Sequence, residues 1–380
     1  VWEEQPWGKS VSFEDFCEYI LPYRVGNEKP SDWKPIFYEK YNHHLAPLLD
    51  STYSDRDDPV VAVRLLMDSI ANHDSIFFTM TAPPGYPHVW ARTAIYQSGS
   101  CREFTDFAIY VCRALGIPCH IDFMIARGDN NADHFWISYH DKSGELHVQD
   151  YPGHLRIARV DGLRFDAKAK VYRQTFSIDY DLRNKILKLD GSAPYFFERP
   201  LFKDVTIFSS GHYIQELRIP ASKIYKKNTK GKIAYLCLSR HMDWIPVACT
   251  TYDRDNLSFN NVQKGSVMRV ATWENNRLVC QTDPFYVHHL SNEITFFHPS
   301  DSLREVVLYA KFKLDEENLF RDRMIGGVIE ASNHPDFREK DTLHVVNEVP
   351  GRLNTSVAIN TDKAYRYLRY YGPKGSFCNL

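Results

Sequence analysis

The stretch GSCREFTDFAIYVCRALGIP, which runs from Gly99 to Pro118, decides the fold of the region around it. Its apolar residues recur at steps of three and four, which places them on one face of a helix. This stripe consists of Phe104, Phe107, Ala108, Val111, Cys112 and Leu115. Gly116 and Pro118 then supply a stop. The spacing therefore predicts one amphipathic helix that begins at Cys101 and ends at Gly116.

The residues on either side of this helix follow two different patterns. Upstream, helical spacing with capping or proline signals predicts three helices, at about 12–20, 35–49 and 59–70. Downstream, turns rich in Gly, Asn and Asp separate three β-type runs. These runs are CHIDFMIA (119–126), HFWISYH (134–140) and ELHVQDY (145–151). The pattern predicts a helical lead-in, then a helix, then an antiparallel sheet.

The rest of the chain is rich in short β-type runs. At roughly 150 residues per domain, a chain of 380 residues predicts two or three domains. After the loop at 190–194, turn-separated runs that include DVTIF (204–208) and TSVAINT (355–361) favour β-sandwiches. We therefore predict an α+β protein with three parts. They are a helical lead-in plus core at 1–190, a β-sandwich at 195–300 and a second β-sandwich at 301–380 that ends before its last strand.

Composition excludes several classes of protein. Hydrophobic residues make up 43% and charged residues 25%, which is ordinary for globular proteins and excludes disordered and collagen-like chains. A net charge of -2 argues against binding to a nucleic-acid backbone. No apolar run approaches the roughly 20 residues that span a bilayer, so we expect no transmembrane segment. The chain begins without a signal-peptide pattern, so any such peptide is absent or already removed.

Cys101 is the first candidate for chemistry. The start of a helix carries partial positive charge and unpaired N–H groups, which favour a thiolate and can stabilise a developing oxyanion. The alternative is that a cysteine is a small buried hydrophobe, and we expect this of most of the other seven cysteines. They contain no C-x-x-C pair, so neither a zinc ribbon nor a thioredoxin-type site is indicated.

A cysteine nucleophile needs an imidazole to take its proton and an acceptor to orient that imidazole. His134 begins the second β-type run, and Asp150 lies near the end of the third. If these two strands are adjacent and antiparallel, His134 and Asp150 can lie side by side at the end of the sheet that faces Cys101.

These residues carry a resemblance to a known family. Over residues 96–155, the motif G-S-C-x-E-F with R-A-L-G-I-P, then H-F-W, then V-Q-D-Y-P resembles the transglutaminase-like superfamily. The resemblance implies a papain-like core with Cys101 as the nucleophile, His134 as general base and acid, and Asp150 as the orienting residue. One departure is Tyr151, which stands where the family often has a proline directly after the aspartate. This leaves Asp133 and Asp141 as alternatives to Asp150.

The other candidate sites are weaker. An oxyanion hole would use the Cys101 amide and a second donor from upstream, for which we choose Gln97. The equal alternative is that the Gln97 side chain is an exposed amide in a loop and has no such role. The pairs His43-His44 and His288-His289 lack the spacing of a metal site, so we expect surface histidines there. We predict no metal and no cofactor.

The C-terminal residues carry a second, weaker resemblance. The stretches GVIEASNHPDF (327–337) and YRYLRYYGPKGSFCNL (365–380) resemble the discoidin-type, coagulation-factor C-like β-sandwich. This resemblance implies binding to sugars or cell surfaces, and it identifies no binding residue here.

The function predicted from these observations is a cysteine-dependent hydrolase of the protease or amidase type, which cleaves an amide bond through a thioester. The alternatives are an acyl transferase that cross-links proteins, or a non-catalytic surface protein that binds glycan or protein. We expect a peptide, protein or glycopeptide substrate, with a glycan as a further partner of the β-rich modules. By analogy with other enzymes that carry such modules, we expect a secreted, periplasmic or cell-surface location.

Overall fold

The computed structural model divides the chain into two compact units, Val1–Pro299 and Ser300–Leu380. The residues it describes are 2–26, 28, 30–73, 77–78, 98–128, 133–149, 168–209, 213–225, 231–240, 243–253, 255, 257–299, 321–351 and 355–372. The division into three parts stays a prediction.

Within the described residues, four α-helices precede the core sheet. They are α1 (Phe13–Asp15, continued by a π-helical turn at Phe16–Ile20), α2 (Trp33–Tyr41, continued by a 3-10 helix at Asn42–Leu49), α3 (Pro59–His73) and α4 (Cys101–Ala114). The three upstream helices and the central helix are thus confirmed. None of the helices within the described residues combines the length and the apolar character needed to cross a bilayer.

Helix α4 ends for the reason that the sequence indicates. Gly116 has a φ of 72°, in the left-handed region that favours glycine. The Ile117 N–H donates to the Cys112 carbonyl at 2.9 Å, which closes the last turn. At this same end, the indole N–H of Trp7 donates to the Leu115 carbonyl at 2.9 Å. The N-terminal segment is therefore tied to the end of α4.

A five-stranded antiparallel sheet packs against α4. Two-residue strands β1 (Phe77–Phe78) and β2 (Ser98–Gly99) pair in parallel just before the helix. The sheet itself contains β3 (His120–Met124), β4 (His134–His140), β5 (Leu146–Gln149), β6 (Tyr172–Gln174) and β7 (Phe202–Asp204), in the order β5-β4-β3-β6-β7. The predicted helix followed by an antiparallel sheet is confirmed.

The two faces of β4 pack differently. Ile137 and Tyr139 are buried in the core formed by α2, α3 and α4, and Phe135 packs on it. Trp136 is buried in a separate cluster with Val148. Because side chains alternate along a strand, the odd positions face α4 and the even positions face away from it.

The strand predicted for DVTIF was wrong. The run DVTIF does not extend as a strand. It ends β7 at Asp204 and then forms the short helix α7 (Thr206–Ser209). The Asp204 carboxylate accepts from the Thr206 N–H at 3.0 Å and from its hydroxyl at 2.7 Å, which favours a helical turn. Because β7 pairs with β6, these residues belong to the core sheet.

Residues 213–296 form a second β-rich region. A six-stranded antiparallel sheet has the order β10-β9-β12-β14-β15, with β13 beside β12, and β11 pairs with β8 in a separate two-stranded sheet. The strands are β8 (Tyr213–Arg218), β9 (Ile233–Arg240), β10 (Asp243–Thr251), β11 (Ser258–Gln263), β12 (Val267–Glu274), β13 (Arg277–Cys280), β14 (Phe285–Val287) and β15 (Ile294–Phe296).

The two faces of this six-stranded sheet are covered differently. One face shares an apolar cluster with the β8–β11 pair. The other face packs against helices α5 (Tyr180–Asp190) and α6 (Tyr195–Glu198). One face of the sheet thus carries helices, and the predicted β-sandwich is not confirmed.

The second unit contains a three-stranded antiparallel sheet. Its strands are β16 (Val328–Ser332), β17 (Asp341–Val345) and β18 (Tyr367–Tyr371), in the order β17-β16-β18. The run TSVAINT, predicted as a strand, forms none, because it is mostly exposed and pairs with no described strand. The second predicted β-sandwich is likewise not confirmed.

Candidate functional site

Cys101 is the first residue of α4, and its side chain is half-buried. A capping box begins the helix: the Ser100 N–H donates to the Glu103 carboxylate at 2.9 Å, and the Ser100 hydroxyl contacts the same oxygen. The Phe104 N–H donates to the Ser100 carbonyl at 3.1 Å. The helix start, and with it the position of Cys101, is therefore fixed by residues of the motif itself.

Gly99 is required by close packing. A Cβ atom at this position would lie 2.5 Å from the Cβ of Glu103, a separation that real Cβ atoms essentially never show. The chain before Cys101 thus crosses directly over the first turn of α4. This explains in physical terms why the motif combines a glycine, a cap, the cysteine and a glutamate.

His134 is the first residue of β4 and is buried. It pairs with Met124 on β3, and its ring centroid lies 5.6 Å from that of Trp136. Alternation along β4 places His134 on the face of Trp136, opposite the face that packs on α4. His134 and Cys101 are each the first residue of their element, and His134 belongs to the face of β4 opposite α4.

Arg102 joins the start of α4 to the start of β4. Its guanidinium lies 4.7 Å from the ring centroid of Phe135, the residue after His134. Its Nε donates to Asp106 at 2.8 Å, and its Nη1 donates to the side-chain oxygen of Gln174 on β6 at 3.3 Å. The immediate neighbours of Cys101 and His134 are thus in contact, at the edge where both elements begin.

Asp106 is the buried partner of Arg102. Burial raises its pKa to about 6, although the charge and hydrogen bond of Arg102 act in the opposite direction. One of its oxygens bonds to Arg102, and the other has no hydrogen-bond partner among the described residues. Asp106 therefore lies buried about one helical turn after Cys101, paired with the partly exposed Arg102.

The remaining predicted residues differ in what can be said of them. Gln97 and Asp150 lie outside the described residues. Asp133 is exposed. Asp141 caps the β4–β5 turn: one of its oxygens accepts from the Ser143 N–H at 2.8 Å and from the Glu145 N–H at 2.9 Å. Since its carboxylate is occupied in this turn, Asp141 is a poor alternative to Asp150.

The β4–β5 turn also contains a cluster that the sequence reasoning missed. Ligand-type atoms of Asp141, Glu145 and His147 lie within 4.8 Å of one another. His147 Nε2 contacts Asp141 Oδ2 at 3.0 Å, and several hydrogen bonds lower the pKa of Asp141 even though burial raises it. These hydrogen bonds stabilise the β4–β5 turn, which accounts for the cluster. The i, i+4 and i+6 spacing across a hairpin was the signal that could have revealed it.

The paired histidines have structural partners. The ring of His44 lies 3.8 Å from that of His43, and its Nδ1 contacts the Ser69 hydroxyl at 2.5 Å. His288 Nε2 contacts the Thr295 hydroxyl at 3.0 Å.

The cysteines divide by burial. Seven of the eight lie within the described residues, and all seven are free thiols. Cys112, Cys119 and Cys237 are buried, whereas Cys17, Cys249 and Cys280 are half-buried like Cys101. The burial predicted for most of the other cysteines is thus found in three of the six that the structure describes. Burial raises the pKa of Cys249 to about 12, so this thiol is not activated.

Residues 48–149 match the sequence model of the family described as the Transglutaminase-like superfamily. The resemblance to this family is thus confirmed, and it extends upstream through α3. The match ends one residue before Asp150. Members of the family are generally cysteine enzymes, which supports a cysteine enzyme here.

The other comparisons add little. A solved structure described as a candidate cysteine protease from Cytophaga hutchinsonii is 16% identical, with a TM-score of 0.28. The alignment covers 42% of this chain, and the chain spans about half (47%) of the length of that protein. No curated protein matches this chain.

Proposed function

With the transglutaminase-like match of residues 48–149 as the premise, we propose that this protein is a cysteine-dependent hydrolase that cleaves an amide bond through a thioester. Cys101 is the nucleophile, His134 the general base and acid, and Asp150 the residue that orients His134. The observation that carries the proposal is the contact of Arg102 with Phe135, which joins the neighbours of Cys101 and His134. The substrate is a peptide, protein or glycopeptide that contains the amide.

The proposed reaction has two steps. The Cys101 sulfur attacks the amide carbonyl carbon while His134 accepts the thiol proton. The C–N bond breaks, and the amine leaves with the proton that His134 returns. Water then attacks the thioester carbon, His134 takes a proton from it, and the carboxylic acid leaves as the thiol re-forms. The N–H groups at the start of α4 are aimed at the oxyanion of both steps.

Support for Asp150 as the orienting residue comes from the motif V-Q-D-Y-P at 148–152, which resembles the family and follows the histidine run in the sequence.

The reactivity of Cys101 toward iodoacetamide tests the assignment of the two main residues. We expect alkylation of Cys101 at pH 6, followed by peptide mass spectrometry, to slow by about tenfold or more in His134→Ala, because the imidazole no longer accepts the thiol proton. The matched control is His140→Ala, at the other end of the same strand, and it should leave the rate unchanged. Equal rates in the wild type and in folded His134→Ala would contradict the proposal.

A second assay distinguishes hydrolysis from transfer. Casein is incubated with the enzyme and a fluorescent primary amine, and both new carboxyl groups and bound fluorescence are measured. Hydrolysis predicts carboxyl release that needs Cys101 and no covalent fluorescence. Fluorescence that is incorporated by the wild type and lost in Cys101→Ala would show an acyl transferase instead.

A further inference from the structure

A cavity of about 600 Å³ is lined by Arg113, near the end of α4, and by Gln174, the partner of Arg102. Its wall includes Arg113 in the last turn of α4, His120 at the start of β3, and the segments 174–178 and 195–202. This volume is typical of small-molecule sites. The chemistry proposed above does not use it.

Arg113 is a buried cation in this wall. Its side chain donates from Nε to the Tyr19 carbonyl and from Nη1 to the Arg24 carbonyl, each at 2.9 Å. Both partners are neutral, and within the described part of the chain no carboxylate forms an ion pair with it. Burial lowers the pKa of Arg113 to about 10. A buried charge that lacks a counter-charge is costly, so an anion in the cavity would stabilise it.

The nearby carboxylates are engaged elsewhere. Asp106 bonds to Arg102, Glu28 accepts from the Tyr110 hydroxyl, and Glu18 accepts from the Ser177 N–H at 3.2 Å. They act on Arg113 only through their charge, at a distance. Within the described residues, these carboxylates therefore act on Arg113 at a distance, and none forms a direct ion pair with it.

His120 is a second buried polar group without a full set of partners. It is 5% exposed, and its Nδ1 has no hydrogen-bond partner in the described chain. Its pKa is well below the ordinary value because of burial and then because of the charges of Arg173, His140, Arg113 and Lys203. The ring is therefore neutral, and it lies in a field of positive charge. Such a position favours a negatively charged ligand group that can bond to an imidazole.

Aromatic side chains form the rest of the wall. Phe123 and Phe196 lie with their ring centroids 6.1 Å apart, edge to face. At the rim, Tyr195 is 86% exposed and Phe176 is 42% exposed. Large apolar side chains that remain this exposed beside a cavity are typical of a ligand site.

We propose that this cavity binds a carboxylate carried on an aromatic or branched aliphatic body. Arg113 and His120 contact the carboxylate, and Phe123, Phe176 and Phe196 contact the apolar body. The carboxyl terminus of a peptide and a free aromatic acid share this chemistry. Gln174 lines the cavity and also accepts from Arg102, so the site reaches the residue next to Cys101 without including it.

Isothermal titration calorimetry on the full chain tests this site. The probes are N-acetyl-phenylalanine and its uncharged amide, with acetyl-Gly-Gly-Phe and 3-phenylpropanoate to represent the peptide and the free-acid source. We expect N-acetyl-phenylalanine to bind about tenfold more tightly than its amide, because only the acid forms charge-assisted hydrogen bonds with Arg113. Tighter binding of acetyl-Gly-Gly-Phe than of 3-phenylpropanoate identifies a peptide end as the ligand, and the reverse identifies a free acid.

Variants locate the binding. Arg113→Gln should remove the preference for the acid, and Ile178→Trp should abolish binding by filling the cavity without touching Arg113. The matched control Arg218→Gln removes an exposed arginine on β8 and should change nothing. If Arg113→Gln does not fold, His120→Phe and Ile178→Trp decide the question. Equal binding of acid and amide, no binding of either, or wild-type binding in folded Ile178→Trp would each overturn the proposal.

The same measurement in Cys101→Ala separates this proposal from the proposed catalysis. We expect unchanged binding in that variant, because the cavity does not include the thiol. Alkylation that fails to depend on His134 would sink the catalytic proposal and leave the carboxylate site intact. A failure of N-acetyl-phenylalanine to bind would overturn the carboxylate site and leave the catalytic proposal intact.

Discussion

The arginines at the two ends of helix α4 differ in their partners. At the start, Arg102 is paired with Asp106 at 2.8 Å and also donates to Gln174. At the far end, the partners of Arg113 among the described residues are two neutral carbonyls, and one nitrogen of the nearby His120 has no partner among those residues. The Arg102–Asp106 pair lies within α4, and the hydrogen bond to Gln174 joins the start of the helix to β6. A buried charge without a direct ion-pair partner is costly instead, which favours an anion nearby. The two ends of α4 thus differ in how completely their buried charges are paired.

The largest predicted effect is the pH dependence of stability that Asp106 causes at the start of α4. Its pKa is about 6 in the folded protein, above the ordinary 3.8, so the folded state binds more protons than the unfolded state between these values. Stability from this group is therefore present at low pH and lost as the pH rises through 6. Relative to Asp106→Asn, the wild type should lose up to about 3 kcal/mol of unfolding free energy between pH 4 and pH 7.

Urea unfolding of both proteins at pH 4, 5.5 and 7 measures this difference. The comparison with Asp106→Asn cancels the carboxylates elsewhere, such as Glu28, whose pKa is lowered. A difference that stays constant over this range would mean that Asp106 is ionised throughout and that the start of α4 carries no buried acid.

Gly99 gives the next largest effect. We expect Gly99→Ala to cost about 2 kcal/mol of unfolding free energy, because the added methyl group meets the Glu103 Cβ at 2.5 Å and one of the two segments must move. Chemical denaturation measures the loss. A cost below about 0.5 kcal/mol, within the range of ordinary surface substitutions, would show that the chain before Cys101 is not held against the helix.

The smallest effect concerns the helix cap. Ser100→Ala should cost about 1 kcal/mol, since it removes the hydroxyl half of the capping box. The matched control is Ser12→Ala, because the Ser12 hydroxyl accepts from the Asp15 N–H at 3.0 Å in an exposed, three-residue helix. We expect a smaller cost there. Equal losses of unfolding free energy in the two variants would indicate that its cap stabilises the start of α4 no more than a cap stabilises an exposed turn.

The local sequence was sufficient where local chemistry decides the structure. The helix from Cys101 follows from its apolar stripe, its cap and the glycine at 116, and the strands that begin at His120 and His134 follow from their apolar runs. The side of the sheet on which His134 lies required the register with β3 and β5. The sequence distance between His134 and Asp150 alone does not contain that register.

Other features depend on contacts between distant residues, and the sequence therefore did not reveal them. The partner of Arg102 across the sheet is Gln174, 72 residues away. That Arg113 forms no direct ion pair among the described residues depends on the residues that several distant segments place around it. The DVTIF run has strand-like composition, but the Asp204 carboxylate bonds to the backbone two residues on and favours a helical turn. β-propensity is overridden in such cases by tertiary and side-chain contacts.

The last strand of the core sheet limits how the protein can be divided. Strand β7 pairs with β6, and its residues lie after helix α5, beyond the segment that matches the family. A fragment cut at residue 190 would keep the pairing of β6 with β3 but would lose β7 from its other side. The unpaired backbone of Tyr172–Gln174 would then form an exposed sheet edge, and such edges promote aggregation. A truncated or fused protein that is meant to keep the complete five-stranded sheet must therefore include the residues through Asp204.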